Sequence, residues 1–467
     1  MICVTLFIKP FYQKESLSPM PIYALVDGNS FYASCQIAFQ PNLLNRPVVV
    51  LSNNDGCIVA ANSIAKSLDL THTSPNSLGK RGYRSATPNS MMFQPFFKVA
   101  SMLKKHNTAV FSSNYELYAD MSQRMHSISS QFAVRQEIYS IDESFLDFTG
   151  LPKENLHNHA LELKKRIMQW IGIPVAVGIG HSKTQAKLAN HLAKKQPNGV
   201  LDLTQMQDST LQALYKTVQV QSIWGIGKQL SQQLINHRIE SAYDLTVADP
   251  KSLRKRFSVN IERTALELNG QACLSFHESP ANKQNIVSSR SFGQNVTDFS
   301  IMREAVSSYT ATAAEKLRKQ ESTCQALTVF ITTPPCQERL PQYRNQYTLP
   351  LIYPTDSTIL LTKIALRALQ HIWREGYQYQ KAGVMLSKIK PKTSLQTDLF
   401  APDPKFSGNP KSDQLMKTLD TINQQMGKNT LQLASSGLQK NRWKMNRNLM
   451  SKRYTTNWQE LLIVKAW

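Results

Sequence analysis

Three acidic residues carry the clearest chemical pattern in the chain. Asp142 and Glu143 stand side by side inside YSIDESFLDFTG (139–150), whose Tyr139, Ile141, Phe145, Leu146 and Phe148 read as β-strand. Adjacent carboxylates in an apolar strand repel each other and are costly to bury. In a regular strand they would point to opposite faces. If the run bends there, so that EIYSI and SFLDF form a hairpin, both acids project from its tip. A third acid, Asp27, ends the apolar strand that opens PIYALVDGNSFYASCQIAF (21–39). Side by side, the two strands would bring Asp27 and Asp142 to one edge of a sheet. Clustered carboxylates bind Mg²⁺, and two such ions about 4 Å apart serve in-line phosphoryl transfer. On spacing alone the alternative stands that Asp142 and Glu143 are solvated turn residues and Asp27 is a charge at a helix N-terminus.

The flanking sequence supplies elements to position these acids. After Asp27 a glycine turn leads into a helix with Ser30 as its N-cap. RPVVVLS (46–52) reads as a strand and CIVAANSIAKSLDL (57–70) as helical, while residues 71–90, rich in Ser, Thr, Pro, Asn and Gly, read as a long surface loop carrying Lys80, Arg81 and Arg84. Leu156, Ala160, Leu163, Ile167 and Trp170 recur at helical spacing in 155–172. IPVAVGIG (173–180) is a strand, and 181–199 a basic helix stopped by Pro197 and Gly199. Residues 222–246 read as helices around a Gly-x-Gly turn. Further on, NIVSSRSFGQ, CQALTVFITT and YQKAGVMLSKI read as strands separated by helices at 301–320 and 357–374. Residues 401–467 hold eleven Lys or Arg against four Asp or Glu and few periodic signals. The order of strands and helices predicts an α+β, multidomain chain.

Composition narrows the function classes. The 467 residues carry 54 Lys and Arg against 32 Asp and Glu, a formal net charge of +22 and a pI near 9.7. That balance points to a polyanionic partner, nucleic acid before a membrane surface. The six cysteines, Cys3, Cys35, Cys57, Cys273, Cys324 and Cys336, form no CxxC pair, which argues against a zinc site or disulfide framework and suits a reducing cytoplasm. No apolar stretch has transmembrane length. The apolar start lacks the basic residues of a signal peptide; Met20 is an alternative start, with residues 1–19 an N-terminal extension.

Six ordered motifs, DGNSFYASC, PVVVLSNNDGCIVAAN, FSSNYELYADMS, YSIDESFLDFTG, VGIGHSKTQAKLANHLAK and WGIGKQL, together resemble the Y-family DNA polymerases, in particular the UmuC branch, from about Pro21 to the C-terminus. The resemblance implies a right-hand architecture with these boundaries: palm at 20–29 and 99–203, fingers at 30–98 with an insertion at 71–90, helical thumb with a helix–hairpin–helix at 204–280, α/β little finger at 284–392, and a clamp- and partner-binding tail at 393–467. It implies error-prone, DNA-directed synthesis past damaged template bases, as in SOS mutagenesis. Asp27, Asp142 and Glu143 then match the carboxylates for two Mg²⁺ ions, and the backbone carbonyl of Gly28 a further metal contact. Tyr32 matches the steric gate that rejects a ribose 2′-OH. Lys66 and Lys194 fall at triphosphate-binding positions, while Ser63 stands where many relatives carry Tyr. DNA contacts are expected at Gly225, Gly227, Lys228 and Arg290. Gln396, Leu399 and Phe400 in SLQTDLF resemble the short motif that docks on the sliding clamp, and the tail resembles the region implicated in contacts with a UmuD′-like dimer and RecA. Two departures stand out: the 71–90 insertion, and Gln36 where relatives usually have Glu. Two other readings are a catalytically impaired DNA-binding accessory of the same family and a palm-type nucleotidyl cyclase; the latter would need neither the Gly-x-Gly turn nor the clamp-like motif.

Overall fold

The computed structural model describes residues 20–68, 90–278, 282–335, 340–394, 410–437 and 443–463. In chain order these form β1 (Tyr23–Gly28), α1 (Phe31–Phe39), β2 (Val48–Leu51), β3 (Ile58–Ala61), α2 (Ser63–Lys66), α3 (Phe96–Lys105), β4 (Ala109–Ser112), α4 (Tyr115–Ser129), β5 (Gln136–Ile138), β6 (Glu143–Asp147), α5 (Leu156–Ile171), β7 (Val175–Gly180), α6 (Lys183–Ala193) and β8 (Val200–Asp202). Then follow α7 (Asp208–Thr217), α8 (Lys228–Asn236), α9 (Ala242–Val247), α10 (Pro250–Arg256), α11 (Val259–Leu268), β9 (Ile286–Val296), α12 (Phe299–Lys319), β10 (Ser322–Thr332), β11 (Arg344–Thr355), α13 (Thr358–Ile372), β12 (Tyr379–Ser387), β13 (Lys390–Pro391) and α14 (Pro410–Gln425). Of the described residues, those up to 45, from 114 to 278 and from 452 onward form one compact unit; those from 46 to 113 and from 282 to 451 form the other.

The first unit is built on a five-stranded sheet of order β5-β6-β1-β7-β8, the sheet expected of the palm. Its centre, β1, is antiparallel to both β6 and β7 and buried along its whole length, which suits the run Tyr-Ala-Leu-Val. Helix α6 lies on β1 and β7 because the strand is glycine-bearing: a Cβ on Gly178 would stand 2.0 Å from the Asn190 backbone nitrogen. Asn190 ties the helix down, its side-chain amide donating to the Leu25 and Ala176 carbonyls at 3.2 and 2.8 Å. Helices α7–α11 gather around Tyr215, Ile223, Leu234, Leu245 and Leu268 as a separate helical core. Buried Glu267, at the end of α11, locks this core to α6 by accepting from the Thr184 backbone N–H and hydroxyl at 2.9 and 2.8 Å.

The second unit holds two sheets. The smaller has order β3-β2-β4. The larger is antiparallel, of order β11-β10-β12-β9, with the short β13 paired to β10. Helices α12 and α13 pack on it around Met302, Leu317, Val329, Leu369 and Tyr379.

The structure departs from the sequence expectation in several places. Residues 58–61 form β3 rather than the start of a helix, because Val49 and Val50 of β2 pair with Ala61 and Ala60. Strand β4 pairs parallel with β2, so the smaller sheet runs on to Ser112, while α1 lies in the other unit. Strand β11 was hidden by Pro350 and Pro354; it is an edge strand, where a missing N–H is tolerated. The tail is not featureless: α14 docks through Arg318 of α12, whose guanidinium donates to both Asp420 carboxylate oxygens at 2.6 and 2.7 Å. Farther along, Trp443 joins the large-sheet core and meets Tyr309 edge-on at 5.4 Å. The N-terminal extension, nearly all of the 71–90 insertion, and the clamp-like residues Gln396, Leu399 and Phe400 lie outside the described residues.

Candidate catalytic centre

The acidic run turns where its chemistry requires. Strands β5 and β6 pair as a hairpin, with Ile138 opposite Ser144, and the backbone N–H groups of Tyr139 and Ser140 both donate to the Glu143 carbonyl at 3.0 Å. Asp142 is the last residue of the connection and Glu143 the first of β6. Because β6 lies beside β1, Glu143 is the register partner of Asp27, and the Gly28 N–H donates to the Asp142 carbonyl at 2.8 Å. All three acids therefore meet at one end of the central strand pair.

Two lysines from one helix engage this end. Lys194, the C-cap of α6, places its ammonium 2.8 Å from an Asp27 carboxylate oxygen. Lys187, seven residues earlier, donates to both Glu143 oxygens at 2.9 Å. Its ammonium also lies 4.5 Å from the Tyr139 ring centroid and 5.4 Å from that of Trp224, whose indole N–H donates to the Tyr139 hydroxyl at 3.3 Å. Asp142 is held differently, its carboxylate accepting from the Ser140 hydroxyl at 2.6 Å. Asp27 is 8% exposed, and its burial pushes the carboxyl pKa up to about 7; Lys194 opposes the rise and neighbouring Glu143 adds to it.

This donor set fits a hard divalent cation. A buried carboxylate, Asp27, and a partly buried one, Glu143, converge from paired strands, a third is adjacent, and each of the converging pair already draws a cation. With Asp27 and Glu143 turned to their lysines and Asp142 to Ser140, no group of three His, Cys, Asp or Glu side chains among the described residues is arranged around a common metal position.

Tyr32 projects from α1 and stacks face to face on Tyr118 of α4, with centroids 4.5 Å apart and planes 13° from parallel; Tyr115 meets it edge-on at 6.0 Å. Burial pushes the Tyr32 phenol up to about 12, helped by the proximity of Tyr115 and Asp142. Tyr118 is itself fixed, since its hydroxyl accepts from the fully buried Gln36 side chain at 2.8 Å. The departure at Gln36 thus sits one residue behind the tyrosine stack.

The remaining sequence candidates fall elsewhere. Gly225, at φ 88°, and Gly227 precede α8 with nothing within 4 Å of where a Cβ would stand, so the chain there is open to close approach. Gly227 is the N-cap of α8, and Lys228 is its first residue. Lys66 ends α2 and Arg290 is exposed on β9, both in the second unit. Sequence reasoning missed Lys187, Tyr139 and Trp224. The signal available for Lys187 was its seven-residue spacing from Lys194, which places both on one helix face.

A hairpin-borne acid pair stands beside a third strand-end acid, with lysines on the helix behind, an arrangement chemically suited to metal-assisted phosphoryl transfer. The model of the impB/mucB/samB family matches residues 26–191, that of the impB/mucB/samB family C-terminal domain residues 283–399, and a domain of unknown function (DUF4113) residues 413–464. The chain belongs to the impB/mucB/samB family. It is 40% identical over 95% of its length to all of Protein UmuC from Salmonella typhimurium, and 41% identical over 95% of its length to 99% of Protein MucB from Escherichia coli. DNA polymerase IV 2 of Bacillus subtilis is 26% identical, covering 80% of this chain and 86% of that protein. Among solved structures, a Y-family DNA polymerase chimera, Dbh-Dpo4(243-245)-Dbh, superimposes with a TM-score of 0.58 at 19% identity, covering 79% of this chain and 99% of that one. The fold is the right hand of the Y-family polymerases.

Proposed function

We infer that the chain is an error-prone, DNA-directed DNA polymerase of the UmuC type that copies past damaged template bases. The carrying observation is the cross-strand pairing of Asp27 with Glu143, Asp142 alongside, at the open end of the palm sheet.

In this reading the primer 3′-OH attacks the α-phosphate of a dNTP in line and pyrophosphate leaves. Asp27, Asp142 and Glu143, with the Gly28 carbonyl, would hold Mg²⁺, which when bound lowers the hydroxyl's pKa and neutralises charge on the leaving group. The protein's own groups do the positioning. Lys187 holds the Glu143 carboxylate in one rotamer, and the Tyr139 and Trp224 rings fix Lys187 in turn. Lys194, exchanging Asp27 for the nucleotide, becomes a point charge for the triphosphate; Lys66 is a second candidate for that role. Tyr32, braced by Tyr118, presents a flat ring to the sugar and excludes a 2′-OH.

DNA is held without sequence readout by backbone at Gly225 and Gly227, by Lys228 at the start of α8, and by Arg290, as suits an enzyme that must accept any template. The formal charge of +22 supports such non-specific grip. The partners in this reading are primer–template DNA, dNTPs, a UmuD′-like dimer, RecA and the β sliding clamp, the last through Gln396, Leu399 and Phe400. Among the described residues no helix is long and apolar enough to cross a membrane; a cytoplasmic site of action completes the proposal. The test is primer extension on intact and lesion-bearing templates, with and without a UmuD′-like dimer. Extension through the lesion supports it, and failure on both templates under all conditions contradicts it.

A further inference from the structure

The C-terminal stretch after Trp443 runs from one sheet of the second unit to the other. Trp443 is anchored in the little-finger core. Three residues on, the Asn446 side chain donates to the Gly293 carbonyl of β9 at 3.3 Å, while its backbone N–H donates to the Asn54 side chain at 3.0 Å. Asn54 belongs to the turn between β2 and β3, and its own amide donates to the Ser291 and Phe292 carbonyls of β9, both at 3.0 Å. The Asn448 N–H then donates to Asp55 at 3.2 Å. Finally Leu449 exchanges bonds with Ser112 at the end of β4: its N–H donates to the Ser112 hydroxyl at 2.9 Å and its carbonyl accepts the Ser112 N–H at 3.0 Å. Met450 completes a parallel bridge to Ser112. Strand β4 is an edge of the fingers sheet, so the C-terminal chain caps an open edge.

Local geometry is committed to this arrangement. Asn54 and Asp55 hold left-handed backbones at φ 59° and 49°, a conformation that costs free energy for residues other than glycine and is best tolerated by this pair of types. Gly293 is required as well: a Cβ there would stand 2.7 Å from both the Asn446 side-chain oxygen and the Lys444 carbonyl. Each bond is modest, and those of Asn446 and Asn448 are exposed. Anchoring at Trp443 makes their formation intramolecular and raises the strap's effective concentration at the fingers.

We propose that residues 443–450 form a strap that locks the fingers to the little finger, so that the two subdomains move as one body. This gives a mechanical role to part of the segment matched as a domain of unknown function. It stands on the geometry of the second unit and does not depend on the catalytic reading.

The test uses the full-length chain and three variants. Asn54→Gly keeps the left-handed turn and deletes its side-chain bonds. Gly293→Ala pushes the strap off β9. Leu449→Pro, at an exposed position away from both cores, removes the donor to Ser112 and guards against misfolding in the other two. Hydrogen exchange reads the amides of Asn446, Asn448, Leu449 and Ser112. Spin labels, introduced as unnatural amino acids at exposed Lys104 of α3 and Lys363 of α13, read the distance between subdomains. The wild-type amides should exchange at least about a hundredfold more slowly than free amides. The variants should lose most of that protection, and their inter-label distance distribution should broaden. Free exchange in the wild type overturns the proposal. So does a distribution that stays as narrow as wild type in variants that retain a native melt but have lost protection.

Discussion

Asp27 of β1 and Glu143 of β6 are register partners on adjacent antiparallel strands, and each carboxylate is met by a lysine of the α6 segment, Lys194 and Lys187 respectively. The pairing sets the buried Asp27 carboxyl beside the partly buried Glu143, where counter-charge offsets the cost of bringing two acids together. In the free enzyme that counter-charge is ammonium; in the working enzyme it would be shared with metal and nucleotide.

Replacing each lysine separates the two roles. Lys194→Met should raise the KM for dNTP about tenfold with a smaller change in kcat, because a triphosphate contact is lost. Lys187→Met should instead lower kcat by about ten- to a hundredfold with KM little changed, because Glu143 loses its fixed orientation. Steady-state single-nucleotide incorporation measures both. Identical profiles for the two variants would remove the distinction.

In the proposed function the tyrosine stack sets sugar selection. Tyr32→Ala should relax discrimination against ribonucleotides by on the order of a hundredfold, the scale on which a pocket rejects an added hydroxyl. Tyr118→Leu, which removes the ring behind Tyr32, should relax it by about tenfold while dNTP incorporation persists. Competition between matched rNTP and dNTP reads this directly. Unchanged selectivity in Tyr32→Ala would exclude it as the gate.

Close approach of α6 to β7 depends on Gly178. Gly178→Ala would drive a methyl into the Asn190 backbone, and the overpacking should cost about 3 kcal/mol or more, read as a lower denaturation midpoint. A midpoint within error of wild type would mean that the helix stands farther off.

The tail is also part of the little-finger fold. Asp420→Ala leaves the largely buried Arg318 guanidinium without its carboxylate, although the Asp356 carbonyl and Thr358 hydroxyl still accept from it. The expected loss is on the order of 3 kcal/mol by chemical denaturation. A loss below about 1 kcal/mol would class the pair with ordinary surface ion pairs.

Acid sensitivity should include Asp147. Burial raises its carboxyl pKa, but hydrogen bonds from Thr149 and the pairing with Arg135 outweigh that and hold it below the ordinary 3.8. A lowered folded-state pKa means stabilisation that is present above the unfolded value and lost as pH falls through the folded one. Asp147→Asn should therefore flatten the fall in Tm on the acid side of about pH 4. An unaltered Tm–pH profile would count against this group.

Much of the site was legible because its signals are local. An acid pair inside an apolar strand demands a turn, and a strand ending in Asp27 and Gly28 supplies a second edge. What was not legible depends on partners distant in sequence. Lys187 reads as a solvated helix lysine until Glu143, 44 residues away, is placed beside it. Gln36 acquires meaning only through Tyr118. Strand β11 carries two prolines that local propensity scores against, and its place at the sheet edge is a tertiary fact. The docking of α14 rests on the Arg318–Asp420 pair, whose partners lie 102 residues apart.

The central claim is that Asp27, Asp142 and Glu143 form the polymerase centre, and Asp142→Asn tests it most directly. Primer extension by this variant should fall at least about a thousandfold, with primer–template affinity within about twofold of wild type, since the strand-end acid contributes charge to the reaction rather than grip on the duplex. Extension within about tenfold of wild type, with DNA binding intact, would contradict the account.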